Sequence, residues 1–338
     1  MTTVTLSPAA THDLIMLALT QNKTSKANAR SVADALIAAQ ASGQSGHGIS
    51  RVPSYAAQSR NGKVDGFATP VVEKVSDTII RIDAANGFTY PAFNIAIDAL
   101  PEMAKINGMA IAAVHRSHHF GQGGAHCEAL AHKGLVSFVF GNATASIAPW
   151  GAKRPLFGTN PISFAAPVPG RDPFVVDLAV SRVAKGKIMA AEKTGSDIPE
   201  GWALDADGNP TTNASAAMKG TMVPIGEAKG AALAMMIEVM GAALVGSALG
   251  FETSGLISSE GGPANMGQLI LVIDPQRTSA GAFDERMTTL IDTVESTEGA
   301  RVPGTRRLAE RQKANIEGLT MPLPIVNEVR VIAGLEPL

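Results

Sequence analysis

The 338-residue chain has one cysteine, Cys127, so no disulfide can close within it, and a reducing, cytoplasmic setting is expected. Aromatic residues make up 4% and charged residues 17%, with a net charge of −2. With no clustered basic surface and few stacking rings, nucleic acid is not an expected partner. Several chemical signatures are missing too. No G-x-G-x-x-G is present; Phe120-Gly121-Gln122-Gly123-Gly124-Ala125 comes nearest and fails at the last glycine. There is no P-loop and no G-x-S-x-G, so neither a local phosphate cradle nor a serine-nucleophile turn can be read. The opening stretch MTTVTLSPAATHDL has neither a basic n-region nor an apolar h-region, so a signal peptide is not expected. One apolar run, Gly230 to Gly250, has the length of a membrane span. Glu238 stands in its middle, where a charge costs on the order of 3 kcal/mol in a bilayer. A buried helix of a globular core is the expectation there, and no membrane.

What is present is ample core material, 45% hydrophobic residues, with 34 glycines and 20 prolines for turns. Ser7-Pro8 and Thr24-Ser25 read as starts of two N-terminal helices, and Val52 to Arg60 as a third. Val71 to Asp83 partly alternates and reads as a hairpin. Phe93 to Asn107 reads as a helix stopped by Gly108. Strand Met109–Val114, a polar glycine-containing turn, helix Ala125–Lys133 and strand Leu135–Phe140 then suggest a parallel pair with a right-handed crossover. Pro161–Val168, Pro173–Leu178 and Gln268–Ile273 read as further strands. Val180–Glu192, Ala280–Ser296 and Gly304–Glu317 read as helices. The class is α/β with α+β character.

Four constellations could carry chemistry. In Gly46-His47-Gly48-Ile49-Ser50-Arg51 the flanking glycines leave His47 approachable, and a histidine trades protons near neutrality. Arg51, four residues on, would share its face if a helix starts here, and its planar fork suits a carboxylate. The bland reading is a turn histidine and a surface ion pair. His115, His118, His119, His126 and His132 cluster within eighteen residues. Zinc, with Cys127 or Glu128, is one reading, though no pair has a common ligand spacing. The other puts Ser117 to Gly121 at the end of a sheet strand, where α/β sheets bind ligands, with amides at the next helix start meeting a phosphate. Phe157 to Pro161 reads as a turn leading into a strand. Gly226 to Gly230 places Lys229 at a helix start, a position the helix dipole disfavours unless an anion is there.

These pieces together resemble the type-2 malate/L-lactate dehydrogenase family. The resemblance rests on GHGISR (46–51), HFG (119–121), APWG (148–151), GTNP (158–161), VVDLA (175–179), AKGKI (184–188), IPEGWALDADGNPTTN (198–213), KG (229–230), NMGQL (265–269) and VPG (302–304). It implies a non-Rossmann nicotinamide-binding fold. Residues 1–110 with 275–338 would form a substrate and dimerisation domain, and residues 111–274 a cofactor-binding domain. It implies NAD or NADP as cofactor, a small carboxylate substrate and a homodimer.

It also implies residue roles. His47 would be the acid/base and Arg51 would hold the carboxylate, with Ser45, Thr159 and Lys187 at the substrate. His119, a second candidate catalytic group, would line the nicotinamide region with Phe120, Gly121, Gln122 and Gly123. Asp177, Leu178, Ala179, Lys229, Gly230, Pro303, Gly304 and Thr305 would bind the cofactor. No metal is implied. The chain departs from the family at Gly46, where many members carry serine, and at Thr305, where an acidic residue is usual. An imino-acid reductase of the family carries an acidic residue at the position of Lys187, whereas the GQSGHG form resembles imino-acid members.

The expected activity is hydride transfer at C2 of a malate- or lactate-type 2-hydroxy acid. The alternatives are reduction of the cyclic imino acids Δ1-pyrroline-2-carboxylate and Δ1-piperideine-2-carboxylate, a non-catalytic ligand-binding relative, and a zinc hydrolase built on the histidines. Arg306 and Arg307 are candidates for a 2′-phosphate contact.

Overall fold

The computed structural model describes residues 2–338. It begins with strand β1 (Thr3–Leu6) and three helices, α1 (Pro8–Thr20), α2 (Lys26–Ala41) and α3 (Val52–Arg60). Ser7 and Ser25 cap the first two: their hydroxyls accept from the amides of Ala10 (3.1 Å) and Asn28 (3.2 Å). A hairpin of β2 (Val71–Lys74) and β3 (Ile79–Asp83) follows, then α4 (Thr89–Asn107), stopped by Gly108 in the left-handed region at φ 88°.

The central stretch carries β4 (Met109–Ser117), α5 (Gly123–Ala131), β5 (Val136–Gly141), β6 (Ile162–Val168) and β7 (Arg171–Leu178). A small unit is then inserted, made of α6 (Lys185–Thr194), β8 (Ala203–Leu204), β9 (Pro210–Thr211), α7 (Ala214–Lys219) and β10 (Thr221–Met222). Helix α8 (Ala228–Glu238) leads through a wider turn at Val239–Ala243 to β11 (Met266–Ile273). The chain ends with α9 (Pro275–Thr278), α10 (Phe283–Ser296), α11 (Thr305–Glu317), β12 (Leu319–Pro322) and α12 (Leu323–Ile332). Strand β12 pairs antiparallel with β1, tying the two ends of the chain together.

One seven-stranded sheet, ordered β2-β3-β4-β11-β5-β6-β7, organises the molecule. The expected β4–β5 pair is corrected here. The two strands run the same way, but β11 lies between them and is antiparallel to both. Strand β11 is apolar almost throughout, so it belongs between two neighbours; local reading of Met109–Phe140 could not foresee an insertion from 130 residues downstream. Among the described residues the only parallel neighbours are β3 and β4. Strands β2 and β3 join β4 in this sheet, and α4 packs with α5 on one of its faces.

On one face of the sheet, α4 and α5 bury Phe93, Leu100, Leu130 and Val139; on the other, α8 and the inserted unit bury Phe140, Ile188, Ile237 and Leu269. A separate core joins α1, α2, α3 and α12 around Ile15, Leu36, Tyr55 and Val326, and includes Phe88 and Tyr90.

Residues 230–250 are not the continuous buried helix expected. α8 ends at Glu238 and one of its faces is open: Met235 is 57% exposed and Leu244, beyond the wide turn, 60%. Glu238 itself is buried because it is fully bonded. It accepts from the side-chain amides of Asn160 (2.7 Å) and Asn142 (3.3 Å) and from the Gly250 amide (2.6 Å). Among the described residues no helix is long and apolar enough to cross a membrane.

Candidate active site

The His47 segment does not form the single helix that would align His47 with Arg51. It makes two short 3-10 turns, Ser45–His47 and Ile49–Arg51, broken at Gly48, and α3 starts only after them. Glycine is needed at the break. A Cβ on Gly48 would run into Gln40, whose side-chain oxygen also accepts from the Ile49 amide (3.3 Å). Arg51 turns back instead, and its Nε donates to the Gly46 carbonyl (2.6 Å). That is the guanidinium's only hydrogen bond among the described residues, and no carboxylate among them pairs with it. The guanidinium fork is thus held near His47 with its outer nitrogens uncommitted. At Gly46 itself a Cβ would meet nothing within 4 Å. The chain lacks the hydroxyl there without any packing reason. Ser45 is exposed, and its carbonyl accepts from the Ser50 hydroxyl (2.6 Å).

His119 arrives from the other side, just past the end of β4. Its ring stacks on His47, with centroids 5.2 Å apart and planes 11° from parallel. Its Nδ1 lies 2.5 Å from the Tyr55 hydroxyl, which lies 3.1 Å from that of Tyr90. Tyr55 comes from α3 and Tyr90 from α4, so three elements converge. The sequence reading missed both tyrosines. Tyr55 carried a signal: it stands four residues after Arg51, the next position along the same helix face. Tyr90 carried none, since its proximity is purely tertiary.

The electrostatics follow from burial beside one cation. His47 is lowered to about 4, first by burial and then by Arg51, with Asp177 opposing. His119 is held well below the usual histidine range by burial and by Arg51. Tyr55 is pushed up to about 12 by burial. At neutral pH both imidazoles are therefore uncharged, and Arg51 is the positive charge they share.

The remaining histidines have other duties. His126 bonds the Phe120 carbonyl through Nε2 (3.0 Å) and packs edge-on against Phe93. His118 is sealed under Tyr55 and Phe88 with neither ring nitrogen partnered. No group of three or more His, Cys, Asp or Glu among the described residues is arranged to hold a metal ion.

A cavity of about 460 Å³ opens between the end of β7 and the start of α11. It collects Asp177 and Leu178 from β7, Pro303 and Gly304 from the loop before α11, and Thr305 from the first turn of that helix. Sequence reading did not name its other walls, Ser42, Gln44 and Arg301, while Arg306 and Arg307, the candidates for a 2′-phosphate contact, also line it. Asp177 accepts from the Ser163 hydroxyl (2.8 Å), and its carboxylate lies against Gly124 in the first turn of α5. The start of α5 thus faces the Asp177 carboxylate, with the Arg307 guanidinium beside it.

Phe120 and Gly123 pack against one another and against β6, while Gly121 lies against Tyr90. Ala179 continues β7 beyond the cavity. Thr159 leads into β6, its carbonyl accepting from the Val180 amide (2.9 Å). Three expected residues stand apart within this chain. Lys187 is exposed on α6 with its Nζ 5.9 Å from the Trp202 ring centroid. Lys229 is exposed at the start of α8. Gly230 is there because a Cβ would collide with the Ile225 carbonyl.

A nicotinamide dinucleotide fits what is present. The cavity has three arginines for phosphates and the apolar Val175, Leu178, Val302 and Pro303 for rings. Gln122, next to the His119 segment, keeps a buried side-chain amide with neither atom partnered, and the buried Arg307 has an unpartnered Nε. Buried polar atoms of this kind ordinarily have partners, so they point to a polar guest.

Comparison with known proteins agrees with this geometry. Residues 6–330 match the family described as malate/L-lactate dehydrogenase. A (2R)-3-sulfolactate dehydrogenase (NADP(+)) of Chromohalobacter salexigens is 47% identical over 89% of this chain and 90% of its own length. A Δ1-pyrroline-2-carboxylate/Δ1-piperideine-2-carboxylate reductase of Pseudomonas putida is 40% identical over 88% and 87%. Among solved structures, the Δ1-piperideine-2-carboxylate reductase of Pseudomonas syringae pv. tomato superposes with a TM-score of 0.91 at 36% identity, covering 97% of this chain and 99% of its own. The chain belongs to the malate/L-lactate dehydrogenase family.

Proposed function

We propose that this oxidoreductase moves a hydride between a nicotinamide cofactor and C2 of a small 2-hydroxy or 2-oxo acid, with NADP(H) preferred. The carrying observation is the stacked, uncharged His47–His119 pair beside Arg51, a cation with no protein carboxylate to neutralise it. Arg51 receives the substrate carboxylate and fixes the adjoining C2 against the histidines. As hydride leaves C2 of a hydroxy acid, neutral His47 takes the hydroxyl proton; in reduction it returns that proton to the forming alkoxide. The bound cofactor supplies the hydride acceptor or donor. Asp177 to Ala179, Pro303 to Thr305 and residues 120–123 would hold it.

Arg51 also couples binding to proton transfer. Its charge is the second cause that depresses His47. A carboxylate paired with Arg51 offsets that charge, so substrate binding raises the affinity of His47 for a proton when one is needed. Support for NADP(H) comes from Arg301, Arg306 and Arg307 lining the cavity where family members usually place an acidic residue, here Thr305. The NADP(+)-linked sulfolactate relative points the same way.

Reduction of cyclic imino acids is a second reading, favoured by the fold match to the Pseudomonas syringae reductase. An imine nitrogen can arrive already protonated, so that reaction asks less of His47. The exposed apolar face formed by Met235, Met236, Val239 and Leu244 supports assembly as a homodimer, and the lone buried thiol supports a cytoplasmic setting.

A nicotinamide-absorbance panel tests the assignment. Pyruvate, oxaloacetate, 3-sulfopyruvate, Δ1-pyrroline-2-carboxylate and Δ1-piperideine-2-carboxylate are each offered with NADPH and NADH. Turnover of a 2-oxo acid with NADPH is expected. Turnover of the imines alone would replace the first reading with the second, and binding of neither cofactor would overturn both.

A further inference from the structure

His47 and His119 cannot both be proton acceptors if one of them is locked by a hydrogen bond, and the buried tyrosines provide that lock. Tyr55, Tyr90 and the Nδ1 of His119 form a chain with contacts of 3.1 and 2.5 Å. Both phenols are protonated at neutral pH, Tyr55 at about 12 and Tyr90 well above its ordinary range, each through burial first. His119 is uncharged, so its ring carries one proton on one of two nitrogens.

Two arrangements in which Tyr55 donates satisfy the distances; leaving Tyr55 as a double acceptor would strand its own buried proton. In one, Tyr90 donates to Tyr55 and Tyr55 donates to His119 Nδ1. In the other, Nδ1–H donates to Tyr55, Tyr55 donates to Tyr90, and the Tyr90 hydroxyl proton is left over. Tyr90 has Tyr55 as its only hydrogen-bond partner among the described residues, and it is 1% exposed. The second arrangement therefore strands a buried donor, which folded proteins avoid. The first strands nothing.

We propose that Tyr55, oriented by Tyr90, is a positioning residue that fixes His119 with its proton on Nε2, making His119 a hydrogen-bond donor and leaving His47 as the proton acceptor. The Nε2 of His119 makes no protein hydrogen bond and is not among the sealed atoms, so its N–H is free to meet the reacting oxygen or nitrogen. Of the two stacked rings, one then polarises the substrate and the other exchanges its proton. A neutral histidine used as a donor is a known electrophile. The stack also answers what holds His47 where no hydroxyl precedes it. Its ring lies on His119, and His119 is anchored by Tyr55.

The inference rests on the function proposed above, but its first test does not need turnover. The full chain is labelled with 15N-histidine, and the His119 signals are assigned by their loss in His119→Asn. At neutral pH without substrate, His119 is expected to show a protonated Nε2 and an unprotonated Nδ1. Tyr55→Phe should give a mixture of tautomers and a kcat lower by about 10- to 100-fold, with KM within about threefold. Tyr90→Phe should keep the Nε2–H form and lose less activity, because Tyr55 can still donate. A merely structural role would lower folded protein without moving the tautomer. A wild-type spectrum with Nδ1 protonated, or Tyr55→Phe with wild-type tautomer and kcat, would overturn the proposal. Should Tyr55→Phe fail to fold, the wild-type and Tyr90→Phe spectra still decide. Lack of turnover on every substrate would sink the function reading and leave the tautomer result standing.

Discussion

Arg51 is tied back beside His47 and adds to what burial does to its basicity. Its Nε is tied to the Gly46 carbonyl (2.6 Å), one residue before the histidine, and its charge is the second cause, after burial, that lowers His47 to about 4. The two residues are not aligned by a helix. They are brought together by two short turns that meet at Gly48, where a larger residue would run into Gln40.

The pH dependence of oxidation follows. His47 must be neutral to accept the hydroxyl proton. A folded pKa below the usual 6.5 keeps it neutral until the pH falls through about 4. The expected kcat/KM profile is flat from pH 8 to below 6. In Arg51→Met the lowering cation is gone, the His47 pKa rises, and the acid limb moves up toward neutrality. Profiles measured on both proteins from about pH 3.5 to 9 check this; an unshifted limb in the variant would separate Arg51 from His47.

His47→Ala and Arg51→Met should fail differently. Removal of the proton acceptor is expected to cost about 100-fold or more in kcat. Removal of the carboxylate fork is expected to raise KM and lower kcat/KM by about 10- to 100-fold, the worth of a charge-assisted hydrogen bond. Steady-state kinetics on the best substrate of the panel read both, and wild-type turnover by either contradicts its role.

Cofactor choice is written in the cavity's arginines. Arg301→Ala and Arg306→Ala leave the fold intact because both side chains are exposed. Each is expected to lower kcat/KM for NADPH by about tenfold while NADH changes by less than about twofold. Equal losses with both cofactors would assign the arginines to the shared phosphates instead.

Glu238 is the buried peg of the loops around β5 and β6. Glu238→Ala leaves the Gly250 amide without an acceptor and takes one bond each from the side-chain amides of Asn142 and Asn160, which keep the Ala248 and Ala234 carbonyls, at about 2–4 kcal/mol of stability. A lowered urea midpoint with an unchanged m-value is the expected result. Because Asn160 follows Thr159 directly, KM should rise as well. An unchanged midpoint would show that the carboxylate is dispensable.

Lys63, 2% exposed, caps three carbonyls, those of Gly255 (2.5 Å), Ser258 (3.0 Å) and Glu260 (2.8 Å). Lys63→Met keeps the stem and removes the donors. Faster amide exchange and proteolytic cleavage confined to 255–260 are expected, with the histidine stack unaltered. Protection equal to wild type would mean that Gln58, which donates to Leu256 and Ser258, suffices.

The chain by itself determined a good deal. Caps and stops such as Ser7, Ser25 and Gly108 act within a turn or two of where they stand, so α1, α2 and the end of α4 were legible. The pieces around His47, His119, Asp177 and Pro303 carried the family in their order. What local reading could not reach was decided by packing at a distance. β11 enters between β4 and β5 because an apolar strand needs neighbours on both edges, wherever in the chain they come from. Glu238, read as a charge against a membrane span, is a bonded peg because Asn142, Asn160 and Gly250 fold around it. Tyr90 reaches His119 only through Tyr55, across two helices. The identity of the chemical groups was local information; which of them share a proton was set by the tertiary structure, because a hydrogen bond depends on position to a fraction of an ångström and sequence spacing does not fix that.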